Sequence, residues 1–143
     1  MEAQAIIDLA LKLRNKYRTN NPFEIASTLG IRINYIVSDN QTKGYVVNAT
    51  QSPLILINKK YNYTSQKVVC AHELGHALMH TESSINHFQR DRNSSNSENI
   101  RDEYEANLFA VALLFNHDEL NMKLLNMSNY MLKSILDYNI TNI

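Results

Sequence analysis

A chain of 143 residues has the usual size of one domain and is long enough to bury a core without disulfide staples. Its 14 Lys and Arg are matched by 14 Asp and Glu, so it lacks the basic excess that duplex DNA or an anionic membrane surface requires, and a protein or peptide partner is expected. One cysteine cannot close an internal disulfide, no stretch reaches the ~18 unbroken apolar residues of a spanning helix, and the polar Met1-Glu2-Ala3-Gln4 does not open a signal peptide; a cytoplasmic protein is expected.

Ile6, Leu9, Ala10, Leu13 and Tyr17 recur at helical intervals and predict an amphipathic helix over residues 3–18. Asn21 and Pro22 are suited to open a second short helix, and Gly30 to end it in the left-handed region. Two short helices in succession suggest a helix-turn-helix. A neutral chain whose second helix is not basic favours packing over DNA binding.

Three strand-like runs follow. Ile31, Ile33 and Tyr35 alternate with Arg32 and Asn34, while Gly44-Tyr45-Val46-Val47 and Leu54-Ile55-Leu56-Ile57-Asn58 are β-branched and aromatic runs. The short gaps between them predict an antiparallel meander, because a parallel pair needs a crossover of a dozen or more residues. Thr64 or Ser65 is expected to cap a helix reaching about His80, and the polar run from Thr81 to Asn99 reads as a long loop. Ser95-Asn96-Ser97-Glu98 matches a capping box and opens a buried helix of roughly 98–115. The tail, 117–143, keeps helical spacing in Leu120, Leu124, Met131, Leu132, Ile135 and Leu136 but carries no legible chemistry. This is an α+β domain spanning 1–143, with its core in 20–116.

The chemistry concentrates in Ala71-His72-Glu73-Leu74-Gly75-His76-Ala77-Leu78-Met79-His80. Residues four apart on a helix stand one above the other, so the imidazoles of His72 and His76 project toward one point and suit a tetrahedral zinc ion. Glu73, one residue round the helix, reaches water at that point without being a ligand, which is the placement of a general base. H-E-x-x-H in a chain with five histidines is only suggestive by itself, and a helical context strengthens it. The third ligand is sought in Arg101-Asp102-Glu103-Tyr104-Glu105-Ala106-Asn107. Glu103 and Asn107 share a helix face, so Glu103 can complete the site while Asn107 hydrogen-bonds a ligand histidine. A carboxylate near a helix start also gains from the dipole. Glu105 points about 200° from Glu103 and is the weaker alternative. His80 and Tyr104 are candidates for touching substrate or its oxyanion only through proximity in sequence. Cys70 points away from His72 and reads as a core thiol, and His87 as a solvated residue.

The ordered series Asn21-Pro22-Phe23-Glu24-Ile25-Ala26, Leu29-Gly30-Ile31, Lys43-Gly44-Tyr45, Ile55-Leu56-Ile57-Asn58, Ala71 to His80 and Glu103 to Ala110 resembles the ImmA/IrrE metallopeptidases, over roughly residues 20–115. The resemblance implies a zincin-like fold with N-terminal helices, a small mostly antiparallel sheet, an active-site helix and a buried third-ligand helix. It implies one zinc ion per chain held by His72, His76 and Glu103, with Asn107 in support. It also implies a substrate class, the helix-turn-helix repressors of phages and mobile elements, cleaved by a zinc-dependent endopeptidase. The alternative is an anti-repressor that binds the repressor without cleaving it, against which an intact Glu73 argues. The family commonly continues into Leu-Leu-Met-Pro, where this chain has Leu113-Leu114-Phe115-Asn116, and the region after residue 116 is short, which implies reduced substrate-recognition elements. The strand Leu54–Asn58 is where a substrate strand is expected to add, and the 81–99 loop is expected to gate access.

Overall fold

The computed structural model of the chain describes residues 1–39, 42–48, 52–81, 85–87, 97–115 and 123–141. Two helices, α1 (Ala3–Tyr17) and α2 (Pro22–Thr28), precede three strands, β1 (Arg32–Ile36), β2 (Gly44–Asn48) and β3 (Pro53–Asn58). Helix α3 (Tyr63–Met79), a short strand β4 (Ile85–His87), α4 (Ser97–Leu114), a single 3-10 turn (Leu124–Asn126) and α5 (Asn129–Thr141) complete the order.

Local chemistry sets the helix ends. Asn21 caps α2 by accepting the Phe23 amide at 3.0 Å, Pro22 occupies the first turn, and Gly30 takes φ 77° just past the end. Helix α3 starts earlier than expected, because Asn62 accepts the Ser65 amide at 2.9 Å and supplants Thr64 and Ser65 as cap. Helix α4 runs from Ser97, and the first half of the expected capping box lies outside the described residues.

The sheet order is β1-β3-β2-β4. β2 pairs antiparallel with both β3 and β4, but β1 runs parallel to β3, with Ile33 opposite Ile55 and Tyr35 opposite Ile57. The meander is therefore corrected at one pairing. The crossover that a parallel pair needs is supplied by residues 37–52, which contain β2 itself. The Asn58 amide secures that connection by donating to the carbonyls of Ser38 and Thr42, both at 2.9 Å. The 81–99 segment is also not all loop, since it includes β4 and the start of α4.

Ile55, Ile57 and Val46 of the sheet are fully buried, as are Ala71 and Leu74 of α3 and Leu108, Phe109 and Leu113 of α4, within one apolar cluster. α1 adds Ile6, Ile7, Ala10 and Leu13, so its apolar stripe serves packing. The end of α4 is secured from the N-terminal helices, where Arg14 Nη1 donates to the carbonyls of Ala112 and Phe115 and the Asn20 amide to that of Leu114. α5 packs on α4 through buried Leu132 and Leu136, which makes part of the expected tail a core element. Each such side chain contributes about 1.5–3 kcal/mol of burial. No helix among the described residues is long and apolar enough to cross a membrane.

Candidate metal centre

Helix α3 is gripped from two sides. Gly75 faces α4, where an added Cβ would meet Phe109 Cδ1 at 3.1 Å and Ala106 Cα at 3.3 Å. On the other side, a Cβ at Gly44 of β2 would lie 2.7 Å from Val69 Cγ1, 2.8 Å from the Leu56 carbonyl oxygen and 3.5 Å from Glu73 Cγ. The two glycines let a helix and a strand close on α3 at backbone distance. The turn of α3 then sends His72 and His76 toward α4 and Glu73 toward β2.

His72 Nε2 lies 3.0 Å from Glu103 Oε2, His76 Nε2 lies 3.1 Å from Glu103 Oε1, and the two Nε2 atoms are 3.2 Å apart. Both histidines are buried and Glu103 nearly so. Burial first, then the neighbouring imidazoles, lowers the His76 pKa to about 4, against which Glu103 pulls upward. The ring is thus neutral near pH 7, with a lone pair for a metal. Burial alone would raise Glu103, but His72 and His76 outweigh it and hold the carboxyl well below the usual range. The dipole expected to help Glu103 is not the cause, since α4 begins at Ser97 and the effect fades within the first turn. These three residues are brought together in a geometry that could hold a metal ion. Glu73, 1% exposed, stands beside them at the β2 side.

The remaining candidates fall elsewhere. The Asn107 amide, expected to support a ligand histidine, donates to Asn129 Oδ1 at 2.8 Å and so ties α4 to α5. Tyr104 is half-buried against the apolar cluster. Cys70 is buried, and burial pushes its thiol pKa up. β3 lies between β1 and β2, so no substrate strand can add to it; β4 is the sheet edge beyond β2. His87 lies in β4 with its backbone opposite Tyr45.

Glu105 and His80, the weaker candidates, meet each other. His80 Nε2 is 2.8 Å from Glu105 Oε1 and 3.4 Å from Asp102 Oδ1, while His80 Nδ1 is 2.8 Å from His76 Nδ1. Glu105 Oε2 also accepts the Met1 ammonium at 2.7 Å. Glu105 does not join Glu103, yet it is buried. The reason lies in the contact line of α4. Ala106 and Phe109 face Gly75, and at 100° per residue Glu103 and Glu105 straddle that line, each reaching α3 from its own flank.

The fold and the site together define a zincin-like α+β protein, with two histidines of one helix and a carboxylate of the next converging on a point. The profile of the M78 peptidases, described as an IrrE N-terminal-like domain, matches residues 26–138, and the chain belongs to that family. The match runs well past residue 115 and into α5. The chain is also 34% identical over 103 residues to a protein of Bacillus phage phi105 named "uncharacterized immunity region protein 2". That similarity covers 72% of this chain and 63% of the phage protein, short of two thirds of its length. No solved structure matches.

Proposed function

We propose that this protein is a zinc-dependent endopeptidase in which His72, His76 and Glu103 hold the metal and Glu73 is the general base. The observation that carries the reading is the triangle of donor atoms, with sides of 3.2, 3.0 and 3.1 Å. Four ligands at the usual ~2.0–2.1 Å around zinc stand about 3.3–3.4 Å apart, so the three donors lie within a few tenths of an ångström of tetrahedral edges. Two imidazoles and one carboxylate are a donor set suited to catalytic zinc, which keeps a fourth position open. When bound, zinc supplies Lewis-acid activation of water and of the scissile carbonyl.

The chain's own groups do the rest. His76, neutral near pH 7, offers its Nε2 without competition from a proton. Glu73 takes the proton released as water attacks and delivers it to the leaving amine. Burial beside α4 and β2 keeps bulk water from competing for that carboxylate. Among the described strands β4 is the outermost beyond β2, and its outer edge is the place for an extended peptide to pair.

For the substrate we favour a cytoplasmic helix-turn-helix repressor of a phage or mobile element. The family resemblance supports this class, and so does a relative named for a phage immunity region. The test is zinc content and repressor cleavage by wild type, Glu103→Ala and Glu73→Gln. About one zinc per wild-type chain, lost in Glu103→Ala and retained with cleavage abolished in Glu73→Gln, is the expected result. No zinc in reconstituted wild type refutes the reading. Undiminished relief of repression by Glu73→Gln moves the protein to the non-cleaving anti-repressor alternative.

A further inference from the structure

Beside the metal centre stands a second cluster, His80, Asp102 and Glu105, whose donor atoms also approach closely enough to hold an ion. His80 is the hinge between the two clusters. It is 9% exposed and leaves α3 with φ −119° and ψ 56°, its amide still bonded to the His76 carbonyl at 2.8 Å. Its own carbonyl accepts the Asn48 side-chain amide of β2 at 3.1 Å. The backbone of His80 is therefore fixed from both sides, and its ring is aimed between His76 and Glu105.

The 2.8 Å separation of the His76 and His80 Nδ1 atoms decides between the two uses of this cluster. A neutral imidazole carries one N–H, so one Nδ1 must donate and the other accept. His76 Nε2 faces His72 and Glu103. If that nitrogen gives its lone pair to a metal, the His76 proton sits on Nδ1 and points at His80. His80 Nδ1 then accepts, the His80 proton sits on Nε2, and Nε2 donates to Glu105 Oε1 at 2.8 Å. A second metal on His80 Nε2 would require a proton on His80 Nδ1, and two N–H groups would then face each other at 2.8 Å. The two metal sites exclude one another.

We infer that His80 and Glu105 are positioning residues, a directed hydrogen-bond relay that fixes the tautomer and the ring plane of His76 for the metal. The inference rests on the zinc reading above and extends it by one residue on each helix. A ligand histidine normally donates its other ring N–H to an acceptor, often a carboxylate, and losing such a partner costs about 10–100-fold in metal affinity. Here the carboxylate acts through an intervening imidazole.

The test is zinc affinity of the full chain, by competition with a chromophoric chelator, for wild type, Glu105→Ala, His80→Leu and His80→Gln. One zinc per chain is expected throughout. Affinity should fall about 10–100-fold in Glu105→Ala and His80→Leu. His80→Gln should recover most of it, because a glutamine amide also offers one acceptor and one donor, whereas leucine only fills space. Equal affinity for His80→Leu and His80→Gln overturns the relay, as does a second zinc in wild type that His80→Leu removes. Wild type that binds no zinc overturns the relay together with the peptidase reading, whereas one zinc held equally by all four chains overturns the relay alone. Should His80→Leu fail to fold, long-range 1H–15N spectra of zinc-loaded wild type decide instead. They should show His76 protonated at Nδ1 and His80 at Nε2; His80 protonated at Nδ1 overturns the proposal.

Discussion

Acid should destabilise the metal-free protein through His76, and the size of the effect follows from its burial. The ring is 2% exposed, and its pKa falls from 6.5 to about 4. Between those values the unfolded chain binds a proton that the folded chain refuses, so the contribution of His76 is complete above 6.5 and declines as pH falls toward 4. The full difference corresponds to about 3 kcal/mol, and roughly 2 kcal/mol of it is lost between about pH 7 and pH 5. Glu103 acts in the same direction but later. Its carboxyl is held low, so its share is lost only as pH falls below the ordinary 4.5. The window above pH 5 therefore reports mainly on His76.

The assay is urea unfolding of chelator-treated protein across this window, beside His76→Gln, whose amide can hydrogen-bond but does not titrate. With a urea dependence of about 1–3 kcal/mol per molar, 2 kcal/mol moves the wild-type midpoint by roughly 1 M more than it moves the variant's. Parallel pH profiles for the two proteins would refute the argument that burial keeps His76 unprotonated.

Three further outcomes follow from packing. Gly44→Ala should cost about 1–3 kcal/mol in urea unfolding, because its Cβ would fall 2.7 Å from Val69 Cγ1 of α3 and 2.8 Å from the Leu56 carbonyl oxygen, an atom of the β3 backbone with little room to move; an unchanged midpoint would count against the close approach of β2 to α3 and β3. Phe109→Ala, in a fully buried position against Gly75, should cost about 3–5 kcal/mol and weaken metal binding by loosening α4; full stability would contradict the packing described. Cys70 should resist alkylation in the native protein and react on unfolding, since its thiol is buried and its pKa raised; rapid native labelling, followed by mass spectrometry, would refute this.

The centre was legible where chemistry and helical period coincide. The convergence of His72 and His76 follows from the four-residue repeat alone, and the placing of Glu103 near them from the helix face chosen for it. The parallel pairing of β1 with β3 departs from the expected meander, although the sequence carries a signal for it. Leu54-Ile55-Leu56-Ile57 is apolar on both faces, as a central strand is, whereas Ile31, Ile33 and Tyr35 alternate with polar Arg32 and Asn34, as at an edge. Tyr35 is in fact 48% exposed. The short gaps point the other way, because β2 itself lies within the connection from β1 to β3. Asn107 has a partner that the sequence does not reveal. It does share a face with Glu103, but α5 covers that face one turn on, and nothing in the sequence says where Asn129 will lie.

The sequence offers His80 and Glu105 only as weaker candidates, for a geometric reason that reaches beyond this pair. An angle round a helix locates one side chain relative to another, not relative to the neighbouring helix. Only the contact line, set where Gly75 admits Ala106 and Phe109, turns 200° between two carboxylates into two arms around one partner. The consequence is an α3–α4 interface that buries three histidines against Glu103 and Glu105. Apolar side chains of similar volume would usually pack there at no loss of stability, or with a gain. The fold carries these groups because the apolar cluster of α1, α3, α4, α5 and the sheet surrounds them. Local cost held in place by a sound core is the pattern expected of a working site. Here each histidine of the series is answered from α4, His72 and His76 by Glu103 and His80 by Asp102 and Glu105.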